Sequence, residues 1–248
     1  MSRNKIFQDF TRRFYMLNIE QFRYGSDNFA YVIYGKKQAM AVDGGAWKEI
    51  LSFLKTTNLV LEFVTNTHSH YDHTSGNDHL LKSTRAKFLN SATLADNHKI
   101  MIDGETILVY RTPGHTDDSV CFHTGSIIVT GDTIFNGTVG NCFSGNQKNF
   151  YLSIKRLMAL PDETIIYAGH DYINDSLAFA RHLEPENEHI DRYLKSYNGI
   201  HVYSTIADER RINPYLRFNE ETIVNLLKNN NLPCSTEWER WNSLMSIE

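Results

Sequence analysis

Short apolar runs bounded by glycine or asparagine alternate along this chain with stretches in which apolar residues recur at helical spacing. Residues 29–34, Phe-Ala-Tyr-Val-Ile-Tyr, and residues 38–43, ending Ala41-Val42-Asp43, predict two adjacent strands joined by the turn-like Gly35-Lys36-Lys37. Gly44-Gly45 stops the second, and Trp47, Ile50, Leu51 and Leu54 then predict an amphipathic helix to about Thr56. Leu59 to Thr65 returns to strand character. A short helix is expected around His79 to Ser83, followed by strand-length runs at Ala86–Leu89, Ile107–Arg111, Ser119–His123 and Ser126–Thr130. Phe150, Ile154, Leu157 and Met158 form a helical stripe that ends near Pro161, before a strand over Thr164–Ala168. From about Asp175 the pattern is almost wholly helical, carried by Leu177, Ala180 and Leu183, then Ile190, Tyr193 and Leu194, then Ile223, Leu226 and Leu227. Helices outside short strands suit a layered α/β fold, an αββα sandwich. A boundary near residue 173 then separates a layered unit, residues 1–173, from a helical region, residues 174–248, packed closely on it.

The chain's 248 residues, 41% of them hydrophobic, can supply a substantial core. With 25 basic and 29 acidic residues there is no basic run to serve as a nucleic-acid or anionic-membrane footprint, so neither partner is expected. Cys121, Cys142 and Cys234 are odd in number and match no C-x-x-C spacing, which reads as free thiols in a reducing compartment. Residues 1–10 lack the continuous apolar segment of a signal peptide, and no stretch is long enough to span a bilayer. Cytoplasmic location is the default expectation.

Chemistry concentrates in Thr67-His68-Ser69-His70-Tyr71-Asp72-His73, directly after the strand ending at Thr65. A His-x-His pair brings two imidazoles to one ion, and the following Asp-His can turn to a second. Imidazole with carboxylate suits zinc, with iron and manganese as competitors. Further candidates sit beside glycines where strands should end: His115 in Thr-Pro-Gly-His-Thr, Asp132 in Thr-Gly-Asp-Thr and His170 in Ala-Gly-His-Asp. Glycine there permits a sharp turn or a close backbone approach. Five histidines and two aspartates thus arise from strand ends distant in sequence that can meet at one edge of a sheet. Asp43 either buttresses a ligand histidine or is simply a turn residue. The histidines at 79, 98, 123, 189 and 201 lack ligand context, while His182 is placed to support the site.

His68-x-His70-x-Asp72-His73-x-x-Gly76-Asn77, with His115, Asp132 and His170, resembles the metallo-beta-lactamase superfamily and, in detail, its glyoxalase II or hydroxyacylglutathione hydrolase branch. The similarity extends through Gly131-Asp-Thr-Ile-Phe135, Gly169-His-Asp-Tyr172, Phe179-Ala-Arg-His-Leu-Glu-Pro185 and Asn213-Pro-Tyr-Leu-Arg217. The resemblance implies a four-layer αββα metallo-beta-lactamase sandwich with a carboxyl-terminal helical region. It implies that His68, His70 and His115 hold one of two divalent ions, that Asp72, His73 and His170 hold the other, and that Asp132 bridges them. The implied reaction is thioester hydrolysis by a metal-held hydroxide, with Asp72 and Asp132 as the catalytic carboxylates and S-D-lactoylglutathione as a candidate substrate. Ser69, without a dedicated base, is not expected to act as a nucleophile.

The substrate contacts implied by the resemblance are Asn141, Phe143, Tyr172 and Arg217. Where relatives have Gly-Cys-Gly-Lys-Phe-Tyr/Phe, this chain has Thr138-Val-Gly-Asn141-Cys142-Phe143, and past Arg217 it continues Phe218-Asn219-Glu220-Glu221 instead of with further basic residues. A lysine expected to meet a carboxylate of glutathione is therefore absent. Two other readings stand beside the glutathione thioesterase: a binuclear hydrolase of another thioester or small ester, and a non-catalytic metal-binding or interaction protein.

Overall fold

The computed structural model describes residues 17–247; the amino-terminal segment read above for a signal peptide lies outside them. The first sheet has the order β1 (Asn18–Tyr24), β2 (Asn28–Tyr34), β3 (Gln38–Val42), β4 (Val60–Thr65) and β5 (Lys87–Leu89). β1, β2 and β3 pair antiparallel, whereas β3, β4 and β5 are parallel. Parallel neighbours need a crossover, and α1 (Trp47–Thr57) supplies it between β3 and β4. α2 (Tyr71–Thr74) and α3 (Asn77–Ser83) lie between β4 and β5.

The second sheet is built from β6 (Lys99–Ile102), β7 (Glu105–Arg111), β8 (Val120–Thr124) and β9 (Ile127–Gly131), an antiparallel meander. After the small hairpin of β10 (Ile134–Phe135) and β11 (Thr138–Val139), α4 (Gln147–Met158) carries the chain to β12 (Ile165–Ala168), parallel to β9. β13 (Ser204–Thr205) adds to the outer edge of β12. Its position interrupts the helical run expected past Asp175, which is otherwise α5 (Ile173–Leu183), α6 (Glu188–Ser196), α7 (Ile206–Ile212), α8 (Glu221–Asn229) and α9 (Glu237–Leu244).

The residues of β2 explain the layers. Phe29, Tyr31 and Ile33 point one way into a core shared with Val109, Phe122, Val129 and Tyr167 of the other sheet. Ala30 and Val32 point the other way, against Ile50 and Leu54 of α1 and Leu80 of α3. A strand buried on both faces reads as a continuous apolar run, as this one does. Likewise Ile128 and Ile166 face Phe150 and Ile154 of α4 on the far side of the second sheet. Helix, sheet, sheet, helix is therefore the order of layers, as the pattern and the resemblance predicted.

The carboxyl-terminal helices are tied to the sandwich through Glu209 of α7, which is fully buried and accepts from the Gly137 backbone N–H at 3.0 Å and the Asn213 amide at 2.7 Å. Burial outweighs these donors and pushes its carboxyl up to about 7. Because the folded protein holds this proton more tightly than the unfolded chain, the stabilisation is complete below about pH 4.5 and is lost as pH rises to about 7. The wild type should therefore lose stability relative to Glu209→Gln between pH 4.5 and 8, by at most about 3 kcal/mol. Urea denaturation of both proteins across that range tests it; a pH-independent difference between them contradicts it.

Candidate metal centre

The seven candidate ligands lie at the carboxyl ends of four strands: β4 leads to His68, His70, Asp72 and His73, β7 to His115, β9 to Asp132 and β12 to His170. Backbone bonds lock these ends together, with Val120 N–H donating to Thr67 C=O across the sheets at 2.8 Å and Gly169 N–H to Gly131 C=O at 2.9 Å. Two glycines make the approach possible. Gly131 has φ +51°, and a Cβ on Gly169 would stand 2.1 Å from Asp132 Oδ1.

His68 Nε2 and His115 Nε2 each lie near His70 Nδ1, at 3.0 and 3.1 Å. His73 Nε2 and His170 Nε2 are 3.2 Å apart, and Asp72 Oδ2 is 3.4 and 3.3 Å from them. The two groups, His68, His70, His115 and Asp132 on one side and Asp72, His73 and His170 on the other, each bring their donor atoms within 4.8 Å of one another. Asp132 spans both: Oδ2 is 3.4 Å from His115 Nε2 and 3.5 Å from His170 Nε2, and Oδ1 is 3.4 Å from His73 Nε2.

The outer nitrogens reveal what the inner ones are for. His73 Nδ1 faces the carboxylate of Asp43 at 3.1 Å, His170 Nδ1 that of Asp27 at 2.7 Å, and His115 Nδ1 the Asn141 carbonyl at 2.9 Å. His68 Nδ1 meets Thr67 Oγ1 at 3.1 Å, a hydroxyl whose own proton goes to Asp43. All four partners are acceptors, so each Nδ1 carries the hydrogen and each Nε2 turns a lone pair inward. Inward lone pairs at hydrogen-bond separation, around a buried Asp132 Oδ1 with no hydrogen-bond partner, can be reconciled only by cations or by added protons. The chemistry of the donor set fits two divalent ions.

The electrostatics agree. Burial lowers the His68 pKa to about 3, and burial likewise lowers that of His115, so both stay neutral. Burial would also lower His73 and His170, but the carboxylates of Asp43 and Asp132 around the first, and of Asp132 and Asp27 around the second, outweigh it and raise both. Burial works to raise Asp132, yet the surrounding histidines hold it well below the carboxylate range. Protons and metal ions therefore compete for the second group of ligands.

Several supporting residues lie outside the ligand motifs. Asp43 is wholly buried, in the left-handed region at φ +55°, and accepts from Thr67 N–H, Thr67 Oγ1 and His73 Nδ1, so it is turn residue and buttress together. Asn28 donates to Asp72 Oδ2 at 2.9 Å and Tyr24 Oη to the Asp72 carbonyl at 2.8 Å. Asn77 closes a pair with Asn66, whose amide donates to the His73 carbonyl at 2.7 Å.

At the mouth, Phe143 is 66% exposed and presents its ring to His70 and His115, with centroids 5.7 and 5.2 Å apart. Tyr172 stacks on His170 at 4.9 Å, and Asn141 is exposed beside them. Arg217 stands apart from this group: its guanidinium forms a two-point pair with Glu184 at 2.7 and 2.9 Å, and it touches none of the metal ligands. His182 is exposed. Ser69 Oγ is directed to Asp118 at 3.3 Å. The three cysteines are free, and burial raises Cys121 to about 11.

Comparison with known proteins agrees with this geometry. The metallo-beta-lactamase superfamily model matches residues 23–99 and 93–170, and the model of the hydroxyacylglutathione hydrolase C-terminus matches residues 171–245. The chain belongs to the metallo-beta-lactamase superfamily, in its hydroxyacylglutathione hydrolase branch. A hydroxyacylglutathione hydrolase of Chromohalobacter salexigens is 32% identical over 221 residues, 81% of this chain and 87% of that protein. One of Pseudoalteromonas translucida is 30% identical over 250 residues, 94% of this chain and 97% of that protein. Among solved structures, ETHE1 from Myxococcus xanthus superposes with a TM-score of 0.65 at 26% identity, covering 91% of this chain and 99% of its own. Metal-dependent hydrolysis is the activity class that goes with this membership and ligand set. Among the described residues no helix is long and apolar enough to cross a membrane.

Proposed function

We propose that this superfamily member hydrolyses small 2-hydroxyacyl thioesters and recognises the acyl half more strongly than a glutathione carrier. The observation that carries the reading is the two-group cage around Asp132, with an aromatic rather than cationic mouth. Two divalent cations, zinc in the first instance and iron or manganese on the same donors, supply Lewis acidity for activating water and polarising a carbonyl.

The chain's own residues do the rest. Asp72, whose Oδ2 accepts from the Asn28 amide, would help hold the second ion and orient the water that the ions activate. Asp132 balances charge between the two ligand groups. Phe143 and Tyr172 flank the mouth and exclude solvent from one side of a bound acyl group. The region from residue 174 onward supports that mouth indirectly: Glu209 and Asn213 hold the backbone of Gly137 and Thr138, from which the segment to Asn141 and Phe143 extends. Ser69, directed to Asp118 and without an imidazole base of its own, provides no nucleophile.

Weak carrier recognition is supported by the partners of the polar side chains. Arg217 is committed to Glu184, and Asn219 to Glu237 and Arg240, so neither is a free donor for a carboxylate. Asn141 in place of a lysine removes a charge-assisted contact of about 1.5–3 kcal/mol, tenfold or more in affinity. Free thiols are consistent with a reducing, cytoplasmic setting. The test is kcat/KM for one 2-hydroxyacyl group carried on glutathione, on coenzyme A and on a minimal thiol. Values within about tenfold of one another are expected. A large preference for glutathione contradicts the carrier claim, and turnover only of lactams or phosphodiesters contradicts thioester hydrolysis.

A further inference from the structure

A cavity of about 700 Å³ lies between α6, the segment that follows it and α7, and none of the seven metal ligands lines it. Its size is that of a small-molecule site. Two kinds of group make its wall. Tyr193, Tyr197 and Tyr203 contribute phenol rings, and two of the hydroxyls are already engaged: Tyr193 Oη donates to the Tyr203 carbonyl at 2.6 Å and Tyr197 Oη to Asp171 Oδ2 at 2.7 Å. With their protons so engaged, Tyr193 and Tyr197 offer the cavity mainly apolar ring surface. His201 extends that surface, its ring 5.4 Å from that of Tyr203.

The second kind is polar and includes two fixed cations. Arg192 and Arg211 line the same cavity beside the imidazoles of His189 and His201, against a single carboxylate, Asp208. Asp208 Oδ2 is committed to the cap of α7, where it accepts from Thr205 N–H and Thr205 Oγ1 at 2.9 and 2.7 Å. Arg192 has only an exposed ion pair with Glu188 one helical turn away, a contact of little net strength. The Arg211 guanidinium has no hydrogen-bond or ion-pair partner among the described residues, although it borders a concavity. Two guanidinium groups on the wall of a ring-lined cavity, against one carboxylate whose Oδ2 is turned to the α7 cap, leave net positive charge for an anion and a surface for a flat apolar body.

We propose that this cavity is a second binding site, separate from the metal centre, for a small aromatic anion whose phosphate or carboxylate meets Arg211 and Arg192 and whose ring lies against Tyr197 and Tyr203. The metal-loaded protein titrated calorimetrically with phenyl phosphate, inorganic phosphate and phenol provides the test. Phenyl phosphate should bind one site per chain, about tenfold or more tighter than either fragment, because ring and charge are both read. Arg211→Gln and Arg192→Gln should each weaken that binding by about tenfold, and Ser196→Trp, which fills the cavity, should remove it. Thioester kcat/KM of all three variants should stay at the wild-type value, since none of these residues touches the metal ligands. No binding of phenyl phosphate at millimolar concentration overturns the proposal. So does binding that survives all three substitutions, which would place the anion on the metal ions instead.

Discussion

Asp132→Ala is expected to strip metal from the protein and to reduce hydrolysis by more than the roughly 10- to 100-fold that loss of an outer partner costs. Among the described residues Asp132 is the one carboxylate that approaches histidines of both ligand groups, Oδ2 reaching His115 of one and His170 of the other, and Oδ1 reaching His73. Without it, the inward lone pairs of His68, His115, His73 and His170 face one another around a void with no shared anion. Ser69→Ala is the informative control, because the hydroxyl is directed away to Asp118 and has no imidazole base. It should retain most turnover. Elemental analysis and thioester turnover on the same preparations check both. Near-wild-type hydrolysis by the Asp132 variant, or an acyl adduct on Ser69 seen by mass spectrometry, contradicts the assignment of roles.

The second large effect is expected at a residue that touches no metal. Asp43→Ala leaves a buried Thr67 N–H, a buried Thr67 hydroxyl and His73 Nδ1 without their acceptor, a loss of about 3–5 kcal/mol for a broken buried network. Alanine at φ +55° adds strain of about 1 kcal/mol. His73 is then free to rotate or change tautomer, so metal affinity should fall by about 10- to 100-fold in whatever protein still folds. Asp43→Asn separates the two effects. It tolerates the left-handed backbone, but its amide sets a donor against donors that need an acceptor. Its stability should lie between alanine and wild type while its metal affinity remains low. Chemical denaturation and competitive chelation measure the two quantities independently; an Asp43→Ala protein within about 1 kcal/mol of wild type contradicts the buttress.

The candidate metal ligands, which the fold brings together in two groups, were legible because each lies in a short motif at a strand end, and strand ends announce themselves locally through an apolar run followed by glycine or threonine. Their supports were less so. Asp27 and Asn28 serve His170 and Asp72 across sequence separations that no local pattern spans, and in sequence Asp43, which serves His73, is open between buttress and turn residue. Asp27-Asn28 looks like any turn between two strands. β1 escaped notice because its residues are half-buried on both faces and so lack alternation, and β13 is too short to carry a pattern. Glu184 and Arg217 each stood inside a recognisable motif, yet only the folded chain reveals that those two motifs bind each other. The resemblance marked Arg217 as a substrate contact without indicating which way its guanidinium turns.

The most direct measurement of the central claim is the number and position of metal ions in protein saturated with zinc, iron or manganese, by elemental analysis combined with anomalous diffraction. Two ions per chain are expected, one among His68, His70 and His115 and one among Asp72, His73 and His170, with Asp132 between them. One ion at saturation, or a carboxylate of Asp132 turned away from both, would contradict the account.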